Sequence, residues 1–209
     1  VTGVLLAFII VALVPLFVAT WRTSLLGLSL QGGLIAWLAL RHSATLSFGS
    51  ALTALDTVGL RALAAPAVLY AAMRALKVPP RNNVIAPNLL SWAIAIGLVV
   101  VAFRSSDVLV PPEGEPQMLV AVSGSALVLG MFVLSTAQGT FSQVVGLLRI
   151  ENAIALFELG GSGHSGALGI RVGMTLILLV SVGLYRWYVL HVPRDDEADS
   201  DADTETAVL

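Results

Sequence analysis

The stretch "GLLRIENAIALFELG", residues 146–160, sets Arg149, Glu151, Asn152 and Glu158 among residues that are otherwise Leu, Ile, Ala, Phe and Gly. A carboxylate held in apolar surroundings can take up and release a proton, pair with a cation or touch water. A guanidinium there is a permanent charge. Glu151 and Glu158 are seven residues apart, so on a helix they share a face about two turns apart. Arg149 is two residues from Glu151 and falls on nearly the opposite side. Asn152, three residues after Arg149, shares the Arg149 face. Arg149 therefore does not neutralise Glu151 within one helix, and Glu151 needs a partner from another helix, a proton or water. The best-placed partner by depth is Arg61, in "LRALAAPAVLYAAMRALKVP", residues 60–79. An Arg61–Glu151 pair is the expectation, with static ionic glue between helices as the alternative for both residues. Asp56 stands early in the same span and reads as a helix cap. Pro66 frees a backbone carbonyl and is a candidate kink. Glu158 and Arg171 lie near span ends and reach toward the interface.

Other chemistry is excluded by composition. The chain has no cysteine, which removes disulfides, cysteine-ligated zinc and iron–sulfur clusters. His42, His164 and His191 are scattered over span ends and loops, unsuited to a metal site. "GGSGHSG", residues 160–166, lacks the strand before it and the Lys-Ser/Thr after it that a phosphate loop requires. No cofactor, no catalytic centre and no nucleic-acid partner are expected.

The elements that hold these charges must be membrane helices. Hydrophobic residues make up 57% of the 209 and charged residues 11%, and mean hydropathy is +0.91. A water-facing domain carries roughly 25% charged residues. Stretches of the length a bilayer demands, about 20 residues, occur at 4–20, 24–40, 53–76, 89–103, 118–136, 141–159 and 167–190. The expected fold is all-α: a polytopic membrane bundle of about seven transmembrane helices, six or eight being the neighbouring counts. Residues 43–52, 77–88 and 104–117 read as connections. Residues 1–117 form an N-terminal four-helix part, 118–191 a three-helix part, and 192–209 an acidic, disordered tail. Lys and Arg near the span ends distribute six to two. Arg22, Arg74, Lys77, Arg81, Arg186 and Arg194 lie on one side; Arg41 and Arg104 lie on the other. That bias places the first group in the cytoplasm of a plasma (inner) membrane protein whose N-terminus is outside.

The segment "QVVGLLRIENAIA", residues 143–155, resembles the (Met/Ile)-Glu-Asn segment of the hydrogenase-4 component E family. These are membrane subunits of energy-converting hydrogenase and formate hydrogenlyase complexes, akin to complex I. Residues 60–79 resemble that family's third helix, where a basic residue precedes a proline and a basic loop; Arg61 stands where the family carries a lysine. The last three spans, 118–190, are similar to the three-helix subunit K of complex I. The resemblance covers most of residues 20–190. It implies a non-catalytic subunit that bridges antiporter-like membrane subunits and the membrane anchor of a redox arm. It also implies that Glu151 matches the first of two membrane carboxylates on a proton-conducting axis. The second has no counterpart, since no acid occurs between Ala167 and His191. A cation/proton antiporter subunit without a redox partner, and a purely structural scaffold, are the other readings.

Overall fold

The computed structural model describes residues 1–13, 20–42, 51, 53–75, 89–110, 114–136, 140–161 and 168–191, and they are all-helical, with no strand among them. The helices are α1 (Thr2–Leu13), α2 (Trp21–His42), α3 (Leu55–Ala64 running into Ala65–Ala75), α4 (Leu89–Leu109), α5 (Glu115–Thr136), α6 (Thr140–Gly161) and α7 (Leu168–His191). The expected loops at 43–50, 76–88 and 162–167, the end of the first span at 14–19 and the tail at 192–209 lie outside the described residues.

Four helices, α2 to α5, have the length and hydropathy to cross a membrane. The outside of the bundle suits hydrocarbon. Leu90, Ile96, Val100 and Val101 on α4 and Leu176, Ile177, Val180 and Leu184 on α7 are exposed, while Arg61, Arg149, Glu151 and Asn152 are buried. Both ends of α2 carry an arginine over a tryptophan ring, Arg22 on Trp21 and Arg41 on Trp37. That arrangement lets a cationic head reach toward the interface from an apolar stem.

The helix ends follow local chemistry. Thr20 caps α2, its hydroxyl accepting from the Thr23 amide at 3.4 Å. α4 continues to Leu109, six residues past the expected end at 103. "RSSDVL" contains no breaker before the two prolines at 111 and 112, so its polar character alone does not stop the helix. Ser106 Oγ donates to the Phe103 carbonyl at 2.7 Å within that last turn. Gln117 Nε2 donates to Asp107 Oδ1 at 2.7 Å and ties the end of α4 to the start of α5. α5 starts at Glu115, three residues earlier than expected. Gly114 before it has φ 110°, the left-handed region that glycine enters without penalty.

Two apolar cores share α2 and α6. The first joins Leu5 and Phe8 of α1, Ile35 and Leu38 of α2, Leu119 to Val133 of α5, and Ala153 and Leu156 of α6. The second joins Trp21, Leu25 and Leu28 of α2, Ala65, Leu69, Ala72 and Met73 of α3, Val145 and Leu148 of α6, and Leu178, Val182 and Tyr185 of α7. In lipid, helices associate by close packing, which small residues permit. At Gly130 a Cβ would lie 2.9 Å from Ile150 Cγ1, and at Gly32 it would lie 2.7 Å from the Ala62 amide nitrogen. The latter neighbour is backbone and cannot turn aside. Gly32→Ala is therefore expected to force α2 and α3 apart and to destabilise the protein by about 1–3 kcal/mol. Gly33→Ala, where a Cβ meets nothing within 4 Å, should be nearly neutral. Thermal unfolding of the two variants in detergent makes the comparison.

Candidate functional site: a buried ion pair, an unpartnered carboxylate and a cavity

The first part of α3 is not an ordinary helix. Leu55–Ala64 is wound as a π-helix, with Ala65 N–H bonded to the Leu60 carbonyl, and α winding resumes at Ala65. The change of winding sits at Pro66. Proline has no N–H to offer the Ala62 carbonyl four residues back. That carbonyl accepts the Ser29 hydroxyl of α2 at 2.5 Å instead. The anticipated effect of Pro66 thus takes the form of a winding change with an interhelical replacement bond.

π winding brings residue i+5 over residue i. Asp56 and Arg61 are five apart, and Arg61 Nε donates to Asp56 Oδ2 at 3.0 Å. On an α-helix the same two positions would be about 140° apart and would not meet. Asp56 Oδ1 accepts the Thr175 hydroxyl of α7 at 2.9 Å. Asp56 is thus not the helix cap the sequence suggests. The N-cap is Ala54, with no side-chain cap bond. The expected direct Arg61–Glu151 bond is also replaced, because the closer Asp56 on Arg61's own helix takes the guanidinium.

Glu151 is left without a donor. It is 3% exposed, and neither carboxylate oxygen has a hydrogen-bond partner among the described residues. Arg61 and Asp56 are close enough for their charges to act on it. Arg61 Nη1 is likewise buried and unpartnered. Beside them lies a cavity of about 190 Å³ lined by Thr53, Asp56, Thr57, Arg61, Glu158 and Thr175, with apolar wall from α2, α6 and α7. Ala155 of that wall is one turn from Glu151, and Glu158 is one turn further, so α6 presents one face from the carboxylate to the cavity. At about 1.5 Å per residue the two glutamates are about 10 Å apart along the axis.

Arg149 and Asn152 lie apart from this group, as the spacing requires. Arg149 Nη1 donates to the Val11 and Ala12 carbonyls, both at 3.3 Å. These belong to α1; four residues after Val11 the sequence has Pro15, which has no N–H to offer the Val11 carbonyl. Gly27 of α2 makes room, since a Cβ there would lie 3.0 Å from Arg149 Nη2. Asn152 is 1% exposed with its Nδ2 unpartnered, and the Gln31 Oε1 of α2 is equally buried and unpartnered. The geometry gives Arg149 the work of clamping α1 to α6. The side chain of Arg171 lies outside the described residues.

Chemically, the arrangement offers one carboxylate of adjustable charge, one buried ion pair that holds a cation beside it, and a cavity that borders the ion pair and ends one turn of α6 from the carboxylate. No cluster of three or more histidine or carboxylate side chains among the described residues is placed to hold a metal ion. Sequence reasoning found every charged member of the site but not the Asp56–Arg61 pairing or the part played by Thr175. The signal available was Pro66 following a five-residue Asp–Arg spacing. No family model, no curated protein and no solved structure matches the chain.

Proposed function

We propose that the chain is a non-catalytic, multi-pass membrane subunit of a redox-driven ion-translocating complex of the complex I and group 4 hydrogenase kind, in which Glu151 is a proton-carrying group. The observation that carries this reading is the state of Glu151. A carboxylate withdrawn from water with no donor costs several kcal/mol if ionised. A site that only needed glue would give it a partner. Here the available cation, Arg61, is committed to Asp56, so its field is close to Glu151 without fixing the carboxylate's geometry. Such a group changes protonation when a neighbouring charge moves.

The resemblance of residues 143–155 and 60–79 to the hydrogenase-4 component E family supplies the rest. Electrons would run through partner subunits, because this chain has no cysteine for an iron–sulfur centre. Its partners would be antiporter-like membrane subunits and the membrane anchor of the redox arm, with lipid around them. The last three helices, α5 to α7, would take the place of a subunit-K unit, lacking that unit's second carboxylate. All seven helices would cross the plasma membrane, with the N-terminus outside and the C-terminus in the cytoplasm.

Affinity purification of the chain from its own membrane in mild detergent, followed by mass spectrometry, tests the assignment. Recovery of large antiporter-like proteins together with iron–sulfur or nickel–iron subunits is the expected result. Recovery of antiporter-like proteins without any redox subunit would move the chain to a cation/proton antiporter. Recovery of neither would overturn both.

A further inference from the structure

The four helices around Glu151 are divided at one level. Above it, Ile35 and Ala39 of α2, Thr53 to Arg61 of α3, Ala155 to Leu159 of α6, and Val172 to Leu176 of α7 border the cavity. Below it, the same four helices supply Leu25 and Leu28, Ala65 and Leu69, Val145 and Leu148, and Leu178 and Val182 to one apolar core. The change falls where Gly32 meets the backbone of Arg61 and Ala62 and, on α6, between Leu148 and Ala155, the interval that holds Glu151. The cavity's outermost lining residues are close to helix ends: Ala39 near the end of α2, Thr53 two residues ahead of α3, Leu159 near the end of α6. These ends lie on a single side of the bundle, since α2 and α6 end where α3 and α7 begin.

From this division we infer that the cavity is an aqueous vestibule open to only one face of the membrane, and that the apolar layer of Leu28, Leu69, Leu148, Leu178 and Val182 is its dry floor. The inference rests on the proposed role of Glu151 and adds the side from which its proton comes. The volume of about 190 Å³ is far above the roughly 10–15 Å³ that admits one water, so it holds several. Threonine hydroxyls and the partly exposed Asp56 carboxylate give those waters partners. The floor gives none: its side chains carry no polar atoms, and such space stays dry. A proton therefore enters from the face on which α2 ends and comes within one helical turn of Glu151, at Ala155 of the cavity wall. To leave by the other face it needs either an opening of the floor or a neighbouring subunit that takes it sideways.

The absence of cysteine makes the test clean. Single cysteines are placed in the cavity wall (Ala155→Cys, Ala39→Cys) and in the floor (Leu148→Cys, Val182→Cys) of the full chain in its native membrane. Gln117→Cys and Ser135→Cys, at the two ends of α5, mark the two faces. A membrane-impermeant thiol reagent is added to vesicles of each orientation. Full modification of the two wall cysteines from the face that labels Gln117→Cys, none from the other, and none of either floor cysteine from any face is expected. Modification of the wall from both faces, modification of the floor, or an inert wall in both variants would overturn the vestibule. The labelling pattern does not depend on which proteins copurify, so it fails or succeeds separately from the assignment to a redox complex.

Discussion

Asp56→Ala is expected to lower the stability of the bundle by about 3 kcal/mol, the lower end of the cost of leaving one member of a buried pair behind. The Arg61 side chain is 1% exposed and the Asp56 side chain 19% exposed. The variant thus strands a guanidinium in the interior while the aspartate's own contribution is partly screened at the cavity. Thr175 loses its acceptor in the same step. Unfolding by heat or by denaturing detergent in micelles gives the number. The double variant Asp56→Ala, Arg61→Met is expected to recover most of the loss, because an apolar side chain of similar length can replace a buried charge at little net cost. If the single variant is as stable as the parent, or the double variant as unstable as the single, the pair does not stabilise the bundle.

Glu151→Gln should behave in the opposite way. It removes a charge that no donor satisfies, so stability is expected to stay level or rise. A group that relays protons is costly to keep and is retained for its chemistry. In the proposed redox complex, proton translocation coupled to the redox reaction is expected to fall by about 100-fold, the lower range of what a positioned acid–base group contributes. Assembly and electron transfer should persist. Proteoliposomes with a pH-sensitive dye, assayed beside the redox rate of the same preparation, separate the two quantities. Coupling that survives the substitution would remove Glu151 from the path. Lost assembly would make it packing glue.

Much of the fold was legible because the bilayer imposes a length and an apolar composition that few other structures share. The starts and ends of α2, α3, α6 and α7 follow from those two constraints to within a few residues. The end of α4 did not. Arg104, Ser105 and Asp107 look like loop residues, yet helix persists through polar sequence until the prolines at 111 and 112, and its side chains find partners in the next helix. The separation of Arg149 from Glu151 was legible, since it needs only the α period. The pairing of Asp56 with Arg61 was not, because the α period places them on different faces. A winding of longer period brings them together, and its one trace in the sequence is the five-residue Asp–Arg spacing ahead of Pro66. Thr175 was equally out of reach, because an interhelical hydroxyl contact depends on how α7 is rotated against α3.

The winding of α3 also bears on the lengths related chains can have. Leu55–Ala64 reads as an α-helical stretch into which an extra residue has been accommodated. A homologue with one residue fewer between Asp56 and Arg61 would keep the pair at the four-residue spacing of ordinary winding. One with a residue more would lose it. Gaps in an alignment of this stretch should therefore run in one direction, as deletions and never as insertions, and they should coincide with the loss of the proline at position 66.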